Sequence, residues 1–275
     1  MLPKVAAIIV SHNSEATLER CLQGVLAQDY SLESIILVDS GSRDRSFLEE
    51  LKEKYPIQLV LAVNIGFSRA NNLGYGKLSS EMDFVVFVNP DLFLPSDFIS
   101  KAIGLCDDYT EIGILSGKLF GYDLEHDKPS GRLDSTGINR KWYGRWYDRG
   151  QGEPDNSEDR KFDRPEFMPA LCGALLFCRN KALSPFAKAV FDPDFFLYKE
   201  DIELCLRLRK SGWKLLYHPE LSAFHCRGWK DERAAMSHRL RKIAAKSEVL
   251  LYKKHPSPYM LWALLKYFLV LVVRL

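Results

Sequence analysis

Phe84-Val85-Val86-Phe87-Val88-Asn89-Pro90-Asp91 is a run of five apolar residues that stops on an amide, a proline and a carboxylate. A continuous apolar run bounded by turn residues reads as a strand buried on both faces, the mark of a parallel sheet. A carboxylate just past such a strand is well placed to hold a hard cation. Alone, Asn-Pro-Asp is only a turn. Its weight comes from the segments upstream. Residues 5–10, 34–38 and 57–62 are apolar runs of the same kind, and 14–27, 46–54 and 68–78 between them carry helical spacing. That β-α-β-α-β-α-β series predicts an α/β protein with a doubly wound, mostly parallel sheet, helices on both faces, and ligands beyond the C-terminal strand ends. Ser11, His12, Asn13, Asp39, Asn64, Asn89 and Asp91 all fall at those ends.

Further on, residues 121–165 are rich in Gly, Asp, Arg and Trp and show little periodicity, so they read as a loop or hairpin insert, which at that length is usually functional. Order returns over 167–178 and 191–198, then in a helix at 202–210 stopped by Gly212 and a strand at 213–217. A basic helix is expected over 231–252, followed by the breaker His255-Pro256-Ser257-Pro258 and an apolar segment, 259–275, interrupted by Lys266 and Arg274. Nine basic side chains face three acidic ones between 227 and 254. This tail is short for a membrane span and fits an interfacial helix on a membrane surface, with packing or homodimer formation as the alternative.

With 275 residues, 47% of them hydrophobic and 27% charged, the chain has material for one large core. A formal net charge of +2 excludes no partner by itself, and no nucleic-acid partner is expected. Six cysteines without a CxxC pair suit reduced, buried thiols. The N-terminus runs into a strand without signal-peptide architecture, and no stretch of eighteen uncharged apolar residues exists, so a cytoplasmic location is expected, peripheral on the inner face of the membrane.

Chemistry concentrates in three further places. Phe195-Phe196-Leu197-Tyr198-Lys199-Glu200-Asp201 sets two carboxylates at a helix start behind an aromatic run. Adjacent carboxylates repel, which raises at least one pKa toward the range of a general base. The alternative is a capping arrangement of Glu200 with Glu203. Asn64-Ile65-Gly66, leading into a helix that carries Asn71 and Asn72, offers backbone N–H groups to a phosphate. It is not a Walker A loop, since Gly76-Lys77 is followed by Leu78, and there is no GxGxxG, which argues against an NTPase and a dehydrogenase. Residues 11–16 hold no Gly, Lys or Arg, which argues against a sugar nucleotidyltransferase. His225 follows a short apolar strand.

In their order and spacing these segments resemble the inverting family 2 glycosyltransferases of GT-A fold, in the rhamnosyltransferase-like branch. Five ordered blocks across residues 4–228 carry the resemblance. It implies a GT-A domain over 1–228, with a nucleotide-sugar half (1–120) and an acceptor and catalytic half (121–228), and a helical tail over 229–275. It implies Asp91 and His225 as ligands of Mg²⁺ or Mn²⁺, with Asn89 standing where many relatives have a carboxylate. Ser11, His12, Asn13, Asp39, Asn64, Gly66, Asn71, Asn72, Asn89 and Asp91 would bind the nucleotide sugar, with Asp39 on a pyrimidine N–H. Asp201 would be the base and Glu200 its neighbour, and Cys172, Gly173 and Ala174 would lie on the acceptor side. The expected donor is a dTDP-, UDP- or GDP-sugar, by analogy dTDP-rhamnose, and the acceptor a lipid-linked or polysaccharide hydroxyl.

Overall fold

The computed structural model describes residues 2–155, 161–226 and 236–272. Its first half is the expected alternation: β1 (Val5–Ser11), α1 (Leu18–Leu26), β2 (Ser34–Ser40), α2 (Ser46–Lys54), β3 (Gln58–Ala62), α3 (Phe67–Tyr75) and β4 (Phe84–Val88). Strands β4, β1, β2 and β3 lie side by side and parallel, with Ile8 opposite both Phe87 and Ile36. β1 and β4 are buried along their whole length, as their unbroken apolar runs demand. β3 differs from a buried strand because it is the sheet edge, and Leu61 remains 46% exposed. Helix α1 starts later than the apolar spacing suggests. Asn13 takes a left-handed φ of 53°, and the N–H of Leu18 closes a turn on the Ser14 carbonyl, so residues 12–17 form a polar rim instead of a first helical turn.

The second half extends the sheet: β5 (Leu92–Phe93), α4 (Phe98–Asp108), β6 (Ile112–Asp123), β7 (Lys128–Ser135), β8 (Ile138–Arg140), β9 (Trp146–Asp148), β10 (Glu166–Phe167), β11 (Leu175–Arg179), α5 (Asn180–Leu183), α6 (Glu200–Lys210) and β12 (Lys214–His225). The order runs β10-β12-β6-β11-β4-β1-β2-β3, with β11 antiparallel between β4 and β6. The insert at 121–165 is built of antiparallel pairs, β6 with β7 and β8 with β9, rather than of loop. β12 continues through Pro219 to His225 instead of ending at Tyr217. The proline sits in a register shift between Tyr217 and Ser222, where no ladder hydrogen bond is lost. Large aromatic side chains close the core beneath the cleft, Phe87 packing edge-on against Phe191 at 5.0 Å.

Two helices complete the chain, α7 (His238–Lys254), capped by Ser237, and α8 (Met260–Val272). α8 packs on α7 through a Lys266–Glu248 ion pair and a His238 Nε2 contact to the Val270 carbonyl at 2.9 Å. α7 in turn grips the segment that leads into α6. Lys254 bridges Asp192 and Asp194 at 2.7 and 2.6 Å, Ser247 donates to the Leu197 carbonyl at 2.9 Å, and His255 Nε2 lies 3.3 Å from Glu203. Among the described residues, no helix is long and apolar enough to cross a membrane.

Candidate active site

Asp91 sits just beyond β4, and the pairing of β5 with β12 decides what it faces. That pairing is antiparallel with Leu92 opposite His225, so the Asp91 carboxylate comes to 3.3 Å from His225 Nε2. On the other side of the ring, Nδ1 is 2.7 Å from the carboxylate of Asp134, which lies fully buried on β7. Burial opposes a charge on His225, but Asp134 and Asp91 outweigh it and push the imidazole up to about 9. Asp91 is likewise raised by burial and then held below the usual carboxylate range by His225. An imidazole fixed by a carboxylate at Nδ1 and open to a second ligand at Nε2 is the orientation in which metal-binding histidines are held. Among the described residues, no group of three or more His, Cys, Asp or Glu is placed to hold a metal ion unaided. The carboxylate of Asp91 and the oriented imidazole of His225 have the donor chemistry that would suit a divalent cation, which would need further ligands from outside this pair.

A cleft of about 680 Å³ opens from this point along the C-terminal ends of β1 and β2. His12, Asn13, Asn64, Gly66, Asn89 and Asp91 line it, together with Ser40. His12 Nδ1 lies 2.9 Å from the Ser40 carbonyl, which can only accept, so Nδ1 carries the proton. Nε2 then accepts from the amides of Asn13 at 3.2 Å and Asn64 at 3.5 Å. Asn89 is anchored by its backbone N–H to the Ala174 carbonyl, while its buried Oδ1 has no hydrogen-bond partner within the protein. Gly66 has a φ of 81°, and a Cβ there would stand 2.6 Å from both the ring and the carbonyl oxygen of Phe196. The Phe67 N–H, first of α3, donates to that same carbonyl at 2.8 Å.

Four residues read from the sequence as donor-binding do not line this cleft. Asp39 is fully buried, and its carboxylate accepts from the N–H of Gly41, from the N–H and hydroxyl of Ser42 and from Arg45 at 3.0 Å, which ties the turn after β2. Asn72 clamps the backbone of Phe191 through both ends of its amide, and Asn71 donates to the Phe67 carbonyl. Ser11 is wholly buried.

Asp91 and Asn89 also border a second cleft of about 310 Å³, whose other walls are Glu200, Asp201, His225, the Cys172-Gly173-Ala174 turn, and Trp146, Tyr147 and Asp148 of β9. Strained backbone leads into the Glu200-Asp201 pair. Tyr198 and Lys199 take φ values of 69° and 71°, a left-handed conformation that costs about 1–2 kcal/mol per residue, and α6 begins at the next residue. No capping box forms. Glu203 instead accepts both bonds from Arg207 Nε at 2.8 Å. Asp201 accepts from the Gly173 N–H at 3.0 Å and its own helix's Ile202 N–H at 2.8 Å. Gly173 is required for that approach, because a Cβ would stand 2.9 Å from Asp201 Cβ. Burial raises Asp201, countered by Lys199 and these N–H donors. Burial, and then the charge of Asp201, push Glu200 up to about 8, and its buried Oε2 has no partner in the protein. Both carboxyls are thus raised, and Glu200 is the one carried into the neutral range.

Residues 6–183 match the family model Glycosyl transferase family 2. The chain is 25% identical over 252 residues to N-acetylglucosaminyl-diphospho-decaprenol L-rhamnosyltransferase of Mycobacterium tuberculosis, covering 86% of this chain and 80% of that protein. It is 24% identical over 247 residues to the rhamnosyltransferase WbbL of Escherichia coli, covering 80% and 83%. In three dimensions it resembles GalNAc-T7 solved with UDP, GalNAc and Mn²⁺, at a TM-score of 0.67 and 18% identity over 92% of this chain and 48% of that one. It also resembles the mannosyltransferase PcManGT of Pyrobaculum calidifontis, solved with GDP-Man and Mn²⁺, at a TM-score of 0.61 and 17% identity over 99% and 75%. A parallel sheet ending in a cleft with a carboxylate pair, the match of the family model over most of the sheet, and these neighbours together place the chain among the family 2 glycosyltransferases, with the GT-A fold.

Proposed function

We propose that this glycosyltransferase is metal-dependent and inverting. It moves L-rhamnose from dTDP-rhamnose to a hydroxyl of a lipid-linked or polysaccharide glycan at the cytoplasmic face of a membrane. The observation that carries the reaction is that Asp91, His225, Glu200 and Asp201 line one small cleft. The diphosphate of the donor lies along the ends of β1 and β4, with the nucleoside toward His12, Asn13 and Asn64, and the sugar reaches toward α6. Asp201 takes the proton of the acceptor hydroxyl as its oxygen forms the new bond to the anomeric carbon. The bond from that carbon to the diphosphate breaks in the same step, and the nucleoside diphosphate leaves. A divalent cation held by Asp91 and His225 would supply the charge that stabilises the departing diphosphate. Protonated Glu200 donates a hydrogen bond toward the acceptor, and Gly173 keeps Asp201 in line. Support for rhamnose as the sugar is the similarity to two rhamnosyltransferases over most of their length.

The test is release of nucleoside diphosphate from dTDP-, UDP- and GDP-sugars, with Mg²⁺ or Mn²⁺ or EDTA, in the presence of membrane lipid extract. Lipid- and metal-dependent turnover of dTDP-rhamnose is expected, with Asp201→Asn losing about 10²–10⁴-fold in kcat and retaining nucleotide binding. Turnover of a UDP- or GDP-sugar instead would replace the donor. Nucleotide binding without turnover of any donor would leave a binding protein.

A further inference from the structure

Helix α8 turns an apolar face outward. Leu261, Leu264, Leu265, Phe268, Leu271 and Val272 are between 41% and 75% exposed and recur at helical spacing, opposite the buried Ala263 and Val270. At the tip of the β8–β9 hairpin, Trp142 is 85% exposed, and the ring beside it, Tyr143, packs on Trp262 of α8 with centroids 4.7 Å apart. Tyr252 of α7 bonds the Gly144 carbonyl in the same tip. Helix α7 adds a second stripe. Arg239, Lys242, Lys246 and Lys253 are exposed on one face, opposite the buried Ala245, Ser247, Glu248 and Leu251. Residues 236–272 carry seven Lys and Arg against a single carboxylate, Glu248, which is buried and paired to Lys266.

We propose that this surface docks on an anionic phospholipid bilayer, with α8 and Trp142 in the acyl boundary and the basic stripe of α7 on the headgroups. An apolar helix face, an aromatic at its edge and unopposed basic residues together match the chemistry of a charged lipid interface. The 13 described residues of α8 span about 20 Å against a hydrocarbon core of about 30 Å, which suits a helix lying in the surface. A second copy of the chain is a poorer occupant, because a two-fold pairing of this face would set stripes of one charge sign together. The docking deepens the reaction proposed above and rests on it only for its purpose. The far end of the same hairpin, Ile138, Trp146, Tyr147 and Asp148, walls the cleft that holds Asp201, so a glycan carried on a lipid meets the base from the membrane side.

The experiment is cosedimentation of the full chain with vesicles of phosphatidylcholine, alone or mixed with phosphatidylglycerol, at low and high salt. The chain should bind the mixed vesicles and lose affinity as salt rises. Lys242→Glu with Lys246→Glu should weaken binding more than tenfold, since each basic residue near such a surface is worth about fivefold. Leu264→Glu with Phe268→Glu should abolish it, with thermal stability and nucleotide binding unchanged. Absence of binding to mixed vesicles would overturn the proposal. So would equal binding by the Leu264→Glu, Phe268→Glu variant, or a lipid-free dimer in analytical ultracentrifugation that this variant dissolves. Vesicle binding needs neither donor nor metal. A chain that binds vesicles but turns over no sugar nucleotide would refute the reaction and leave the docking surface standing.

Discussion

Replacing Glu200 by glutamine should flatten a fall in stability that the wild-type protein shows between mildly acid and mildly alkaline pH. The Glu200 carboxyl is raised from an ordinary 4.5 to about 8, first by burial and then by Asp201. Between those limits the folded protein keeps a proton that the unfolded chain has released. Unfolding therefore becomes easier as pH rises, by about 1.4 kcal/mol per pH unit. From about pH 5.5 to about pH 7.5 that amounts to roughly 2–3 kcal/mol, or on the order of 5–10 °C in Tm. Glutamine has the same shape and no proton to lose, so its curve should be flatter by that amount. His225, raised to about 9, adds a slope of the same sign above its ordinary 6.5 in both proteins and cancels in the comparison. The assay is urea or thermal unfolding of both proteins in EDTA across this range, and it needs no substrate. Parallel curves would refute the buried, protonated Glu200, and with it the hydrogen bond proposed for it toward the acceptor.

Two further outcomes follow from single contacts in the cleft. Asp134→Asn removes the charge that fixes His225 Nδ1 and should weaken Mn²⁺ binding about 10–100-fold in titrations with nucleoside diphosphate present. Unchanged affinity would mean that His225 is not a ligand. Gly173→Ala introduces a Cβ 2.9 Å from Asp201 Cβ and must displace the base, so kcat should drop roughly 10–100-fold with donor KM unchanged. A variant with full kcat would show that the Gly173 contact does not position the base.

Much of this arrangement was legible because it is local. The apolar run before Asn89 reads as a strand buried on both faces, and it is one, while the Glu200-Asp201 pair advertises itself as two adjacent charges after an aromatic segment. What the chain conceals is partnership at a distance. Asp134 reads as one more polar residue of an insert, yet it meets His225, 91 positions on, because β7 pairs with β6 beside β12. The same cause explains the residues whose side chains turn away from the cleft. Asp39, Asn71 and Asn72 stand at the right strand and helix ends, but a short polar side chain there serves the nearest backbone as readily as a ligand, and these three are engaged by Ser42, Phe67 and Phe191. The strand read over 213–217 runs on to His225, because Pro219 is accommodated at a bulge.

The grip of α7 on the segment before α6 bears on where this enzyme can be cut. The family model ends at residue 183, short of Asp201, and the two left-handed residues that precede Glu200 and Asp201 lie between contacts made by Ser247, Lys254 and His255. Trimming the chain to its recognisable sheet, as a crystallographer or a builder of chimeric transferases would be tempted to do, would leave Tyr198 and Lys199 free to relax to ordinary backbone angles. The tail is thus a brace for that segment, and any exchange that moves residues 192–203 into another transferase means carrying residues 236–255 along with them.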